Sequence, residues 1–496
     1  MSDLQNLTYC KPELLLFATC IAVLITDLFA KKRSAIILPI ITLVGIIGVV
    51  LEITSLYGQP EIIIFHSMLA IDYFSLFFKI ICAISTGIVI LLSYPLMSKD
   101  GEYFALLLLG TLGMFIIVSA VDIITMFLGL ELLSITSYVL AGYTKDKLAA
   151  SESALKYVLY GAFSTAFMIY GLSFLYGFTG KTNLYEIHQI LTLDHYYPPL
   201  LIAIFIFVFV GLGLKIAIIP FHLWCPDIYE GAPTPVTAFF SGGPLAAGLA
   251  LLIRFLFIIW TEPGGITYEQ WVPTGISSWP LLIGILSAVG ITIGNLAALN
   301  QNNIKRLLAY STIAQIGYIL MGVMVTTGQG LRAVLFYLVI YLLLNFGVFA
   351  IIQVFSLNLD SEDIRDYRGI GARAPFLSVA LALFLFSLTG IPALSGFIGK
   401  VYLFSSLVSE KIYWLVAIGL FNSVISFYGF SRIIKTMFLD ETTIKEPLKI
   451  PVISLILVLL LLIPTIVLGL YWVPLLEWTD KSIHFLWFPQ ISGRGF

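Results

Sequence analysis

GLGLKIAIIPFHLWCPDIYEGAPTPVT, residues 211–237, decides how the rest of the chain is read. It opens as an apolar helix, yet Lys215 lies inside the apolar run and Pro220 follows five residues later. A proline in a helix interior donates no hydrogen bond and clashes with the carbonyl four residues back, here Ile216. Unpaired backbone in hydrocarbon costs several kcal/mol, so such a break persists only where protein or water covers it. An ammonium beside the break adds at least about 2.5 kcal/mol. Two costly features so close together predict an ion or proton site. The plainer alternative is a lysine snorkelling from a helix end past an incidental kink.

Composition sets the solvent. The chain has 496 residues, 59% hydrophobic and only 11% charged, with a mean hydropathy of +1.02. Soluble domains carry about 25% charged residues, which excludes a water-soluble fold. Apolar runs of helical length recur from Pro12 to Trp472, the pattern of an all-α integral membrane protein and not of a barrel. The first of them reads as a retained span, with no small-residue cleavage pattern after it. Cys10, Cys20, Cys82 and Cys225 are scattered without CxxC spacing, and the five histidines show no paired-ligand pattern. No zinc site, iron–sulfur cluster, disulfide framework or haem is therefore expected, and no cofactor on this chain.

The periodicity predicts about fourteen spans, the seventh (near 199–221) and the twelfth (near 374–408) being interrupted. Loops after odd-numbered spans hold 15 of the 26 lysines and arginines, among them Lys31, Lys32, Arg33, Lys305, Arg306 and Lys445. The opposite side holds six, Arg494 included, and five lie inside spans. The positive-inside rule then places both termini on the non-cytoplasmic side.

The five within spans are Lys79, Lys156, Lys215, Arg254 and Lys400. Arg254 is near a span end, where snorkelling explains it. Lys79, in LFFKII, has no acidic neighbour in its own span and its role stays open. Glu131, in FLGLELLSITSY, is too deep to snorkel and must pair or hold its proton. Lys156, on the next span, is the expected partner. The twelfth span, SLTGIPALSGFIGKVYLF, repeats the logic of the seventh: Gly390 and Pro392 break the helix, and Lys400 follows about 12 Å beyond the break. Interrupted segments in corresponding places point to inverted repeats, spans 4–8 and 9–13. The expected division is an N-terminal three-helix segment at 1–100, repeats at 101–260 and 278–440, and a C-terminal helix and tail at 441–496.

At these residues the chain closely resembles the subunit N family of bacterial respiratory complex I, the antiporter-like membrane subunits of NADH–quinone oxidoreductase. WCPDIYEGAPTPVT, GLELLSITSYVLAGY, NNIKRLLAYSTIAQIGY, GIPALSGFIGK and NSVISFYGFSRIIK carry the resemblance, which runs from about Gly101 to Phe438. It implies a proton-translocating subunit in the bacterial inner membrane, assembled with sister antiporter-like subunits and holding no redox group. It also implies a relay of Glu131, Lys156, Lys215, His222 and Lys400. Two positions depart from the family pattern: Leu245 stands where a lysine is usual on the eighth span, and Gln315 where many relatives have histidine. Glutamine does not titrate, and leucine neither titrates nor orients water. The expectation is a gap between Lys215 and Lys400, bridged if conduction persists by Ser241, Thr312 and Gln315. A subunit of a related cation/proton antiporter, membrane-bound hydrogenase or ferredoxin-fed complex is the alternative reading, as is a non-conducting spacer.

Overall fold

The computed structural model describes residues 3–30, 34–193, 198–264, 270–441 and 446–483. Lys31, Lys32, Arg33, Lys445 and Arg494 lie outside the described residues. Thirteen described helices are long and apolar enough to cross a membrane. They begin with α1 (Lys11–Ala30), α2 (Ser34–Leu56), α3 (Tyr73–Met97), α4 (Gly101–Ser119), α5 (Ile123–Ala141) and α6 (Leu148–Thr179). The seventh span is α7 (Pro198–Lys215) followed by a short α8 (Trp224–Gly231). The eighth is α9 (Thr234–Ser241) and α10 (Gly243–Ile259). Next come α11 (Trp279–Leu299), α12 (Ile304–Met324) and α13 (Gly328–Leu359). The twelfth span, too short in either piece to count among the thirteen, is α14 (Pro375–Thr389) plus α15 (Ser395–Ser409). α16 (Tyr413–Phe438) and α17 (Val452–Leu470) complete fourteen. The described strands form two short antiparallel hairpins, Ile62–Ile64 with Leu69–Ile71 and Thr261–Gly264 with Gln270–Pro273. The most enclosed spans are α3, α9–α10, α12 and α13, which form the centre of the bundle.

Both broken spans end their first half in the same way. At α7, Ile218 N–H donates to Gly213 O at 2.8 Å and Ala217 N–H to Leu214 O at 3.1 Å, with Ala217 left-handed at φ +55°. At α14, Ile391 N–H donates to Phe386 O at 3.2 Å and Gly390 N–H to Ser387 O at 3.0 Å, with Gly390 at φ +92°. This paired 6→1 and 5→2 pattern around a left-handed residue is the Schellman motif, which satisfies carbonyls that a stopped helix would leave bare. The eighth span is interrupted too, which the sequence reading did not anticipate. Gly242 departs from helical geometry (φ −110°, ψ −100°) and Pro244 supplies no donor, so GGPL divides α9 from α10.

Other details repeat between the two halves. Ile123 N–H donates to Thr182 O, and Leu184 N–H to Val121 O, both at 2.9 Å. In the second half Ile304 N–H donates to Glu362 O, and Ile364 N–H to Asn302 O, again at 2.9 Å. Asp122 and Asn303 cap the helices that follow, and α6 and α13 each run 32 residues. The first bridge joins loops after even-numbered spans and the second joins loops after odd-numbered spans. The two halves therefore run in opposite directions through the bundle, as inverted repeats require.

Close packing at the twelfth span overturns the expected 12 Å offset of Lys400. α15 does not continue α14 but starts beside its last turn, where a Cβ on Gly396 would lie 1.8 Å from Ser387 O. Gly396→Ala should therefore cost about 3 kcal/mol or more by overpacking against backbone that cannot yield. Gly390→Ala, which strains one left-handed residue, should cost about 1–2 kcal/mol. Thermal unfolding of the two variants in detergent measures this order; equal losses would contradict the packing described.

Candidate proton path

Lys215 occupies the last turn of α7. Its Nζ donates to Ser134 Oγ at 2.5 Å and lies 5.7 Å from the Tyr138 ring centroid. Glu131, Ser134 and Tyr138 fall at i, i+3 and i+7 on α5, so one face of that helix meets the ammonium. The Glu131 charge acts on Lys215, and its Oε1 accepts from Thr165 Oγ1 at 2.9 Å. On the far side, a Cβ on Gly248 would lie 3.8 Å from Lys215 Cβ. Ser134 and Gly248 are both near the middle of their spans, which puts the lysine deep in the bundle and not at its rim. His222 follows Pro220 in the break, its Nδ1 buried without a hydrogen-bond partner among the described residues.

Lys156 is not paired with Glu131. Its Nζ lies 2.8 Å from both Asp227 Oδ2 and Glu152 Oε1. The reason is depth: Thr165, which holds Glu131, is nine residues or about 13 Å further along α6. Asp227 also binds Arg306 Nη1 at 2.7 Å, and Arg306 binds Glu230 Oε2 at 2.9 Å. Lys305 adds Glu362 Oε1 at 2.7 Å and Ala232 O at 2.8 Å. The acidic residues of the WCPDIYEG stretch thus fasten α8 to both halves. Sequence reasoning missed Asp227, although an acid in the short helix after a break was the available signal.

Lys400 is 3% exposed. Its Nζ donates to Thr389 O at 2.9 Å and to Ser423 Oγ at 3.2 Å, and it sits 4.2 Å from the Tyr318 ring centroid. That geometry places an ammonium at the carbonyl end of α14 and over a ring face, two arrangements that favour positive charge. Leu245 is 4% exposed on the first turn of α10 and faces the core, not lipid. Gln315 accepts from Tyr337 OH at 2.5 Å and donates to Leu388 O at 3.5 Å. Ser241 accepts from Asn345 Nδ2 at 2.6 Å, and Thr312 from Tyr341 OH at 3.1 Å.

Of two charges outside the relay, one reading is overturned and one left open is answered. Arg254 does not snorkel: it is fully buried, and its fork grips Asp72 through Nη1 at 2.9 Å and Nη2 at 2.8 Å, with Nε donating to Val118 O at 3.2 Å. Asp72 is at the same time the N-cap of α3. Lys79, equally buried, pairs with Glu13 of α1 at 2.6 Å, a contact between spans distant in sequence.

Residues 120–426 match the family described as NADH:quinone oxidoreductase/Mrp antiporter, transmembrane. The chain is 38% identical over 493 residues to NADH-quinone oxidoreductase subunit N 2 of Chloroherpeton thalassium, covering 96% of this chain and 94% of that one. This chain belongs to that family. Among solved structures, a chain of respiratory complex I from Thermus thermophilus with bound aureothin superposes with a TM-score of 0.78 at 27% identity, covering 94% of this chain and 98% of that one. A chain of the Mrp complex from Dietzia sp. DQ12-45-1b shares the fold with a TM-score of 0.85 at 18% identity, covering 99% and 98%. The NADH:quinone oxidoreductase/Mrp antiporter family match spans both broken helices and the residues that face them.

For this family member the Arg254–Asp72 fork makes a stability prediction. Arg254→Met leaves a buried carboxylate without its cation and should cost about 3–5 kcal/mol. Adding Asp72→Asn should recover most of that loss, because the stranded charge is gone while the cap acceptor remains. Thermal unfolding of the single and double variants checks it, and strictly additive losses would refute the coupling.

Proposed function

We propose that this chain is a proton-translocating, antiporter-like membrane subunit of a complex I-type NADH-quinone oxidoreductase, with electron transfer carried by other subunits. The observation that carries this reading is the placement of Lys215 and Lys400. Each lysine belongs to a broken span whose first half is closed by the same turn, in halves that run in opposite directions. Lys215 is in the last turn of α7 with its ammonium on Ser134 Oγ, and the Lys400 ammonium meets the carbonyl end of α14. A lysine taken out of water exchanges its proton readily when a nearby carboxylate comes or goes. Glu131 is the carboxylate that acts on Lys215, and the unpartnered His222 nitrogen beside the break is a ready acceptor. Asp227 holds Lys156 in the resting arrangement. Movement of α8 would take Asp227 from Lys156, leaving it with Glu152 of its own helix, and change the field at Lys215, giving neighbouring subunits a mechanical handle on the relay.

The two repeats are taken as 101–260 and 278–440, flanked by segments 1–100 and 441–496. The basic face is taken as cytoplasmic, so that both termini lie on the other side of a bacterial inner membrane. Sister antiporter-like subunits are the expected neighbours. The 38% identity to a subunit N over nearly the whole chain favours this assembly over a cation/proton antiporter, for which the likeness extends to the fold.

Glu131→Gln tests the reading, because it removes the charge and keeps the shape. In the assembled complex it should lower proton pumping and slow coupled quinone reduction while leaving subunit assembly intact. If both rates match the parent, Glu131 is merely the acceptor of the Thr165 hydroxyl.

A further inference from the structure

Leu245 interrupts any chain of titrating side chains between the halves, yet the space around it is not apolar throughout. On α12, Thr312, Gln315 and Tyr318 recur at i, i+3 and i+6; on α13, Tyr337, Tyr341 and Asn345 recur at i, i+4 and i+8. Each set forms one stripe on its helix, and the stripes face each other: Tyr341 OH donates to Thr312 Oγ1 and Tyr337 OH to Gln315 Oε1. All six side chains are buried, in the two spans most enclosed within the second half.

The stripes have defined ends. At one end Thr312 faces the hydroxyl of Tyr229 on α8, and Asn345 donates to Ser241 Oγ, four residues before Leu245. At the other end the Tyr337 ring packs on Gly399, where a Cβ would lie 2.5 Å from its Cδ2, next to Lys400. Gln315 and Lys400 donate to successive carbonyls of α14, those of Leu388 and Thr389. Tyr318 OH and Lys400 Nζ share Ser423 Oγ, at 3.1 and 3.2 Å.

We propose that protons pass Leu245 by a bypass of neutral hydroxyls, from Tyr229 and Thr312 through Tyr341, Tyr337 and Tyr318 to Ser423 and Lys400. This rests on the proton-translocating reading given above. Each hydroxyl releases the proton it holds as it accepts the next, so the hydroxyls stay neutral. The last transfer breaks an O–H bond at Ser423 and forms an N–H bond on Lys400, which receives the proton as the free amine and becomes the ammonium. Tyr341 and Tyr337 are one helical turn apart on α13, with Cβ atoms about 5–6 Å from each other. Tyr337 and Tyr318 face each other from the two stripes, and bridging waters would complete these two steps. Asn345 and Gln315 do not carry protons; they are positioning residues that aim Ser241 and Tyr337. Hydroxyls that merely glued helices together would need partners within each pair, but not a series ending on the ammonium of Lys400.

The test uses the assembled complex in sealed vesicles, reading proton uptake, quinone reduction and subunit content together. Tyr341→Phe should keep assembly and lose at least about twofold in proton uptake, the scale of a barrier raised by a fraction of a kcal/mol or more. Adding Leu245→Lys should restore uptake, since the ammonium offers another carrier at the bypassed point; a structural role for Tyr341 would not be rescued there. Thr312→Val should lose uptake where Thr312→Ser keeps it, and this pair decides if Tyr341→Phe does not assemble. Parent-level uptake in both Tyr341→Phe and Thr312→Val, or an assembled double variant that stays impaired, overturns the bypass. Glu131→Gln separates the two claims. If it alone loses uptake, only the bypass falls; if it pumps like the parent, the underlying reading falls with it.

Discussion

A helix that stops inside hydrocarbon leaves up to four carbonyls with no partner, and that constraint shapes everything around the two breaks. Here the answer is similar twice: a Schellman turn closes part of the end, and a side chain donates to a carbonyl of the last turn. At α7 the indole of Trp224 donates to Leu214 O at 2.8 Å, while at α14 the ammonium of Lys400 takes Thr389 O. The end of a half-helix carries roughly half a negative charge, so it welcomes a cation without binding it as a carboxylate would. Such a site can hold an ammonium and still let the proton go. Lysine suits it because its charge is compact and neutralises when desolvated, which arginine resists.

The ionic network on the basic face has a different character. Glu152, Lys156, Asp227, Arg306 and Glu230 form a continuous set of contacts across α6, α8 and α12, partly exposed to solvent. Exposed pairs of this kind contribute little stability each. Their effect is geometric: they tie the short helix after the first break to both halves, so a displacement of one half is felt at the other. The buried Arg254–Asp72 pair, and the fully buried Lys79 held by a partly buried Glu13, act as fixed joints on the rest of the bundle, since separating either would strand a buried charge.

The departure at Leu245 changes what must happen between the halves and not whether the halves are built. A lysine there would place a charge that comes and goes between Lys215 and Lys400. Leucine leaves a neutral stretch, and facing hydroxyls on α12 and α13 occupy the interior instead. On the proposed path the titrating groups are then Glu131, Lys215 and His222 on one side of Leu245 and Lys400 on the other.

Much of this was written in local chemistry. Apolar runs of membrane length, the prolines and glycines at the breaks, and charges too deep to reach water depend only on neighbouring residues and on the solvent. They announced the class, the span count and the breaks in spans seven and twelve. Partners across the bundle were not legible, because spans packed side by side are set by helix depth and rotation. Glu131 and Lys156 sit on consecutive spans but about 13 Å apart in depth, so Lys156 found Asp227 and Glu131 found Thr165. Lys79 and Arg254 found acids on other spans for the same reason. The sequence by itself determined that this is a membrane bundle with costly ammonium groups at two broken helices. Only the tertiary structure decided that α15 turns back beside α14 to bring Lys400 to the break, since that packing depends on Gly396 meeting the Ser387 carbonyl.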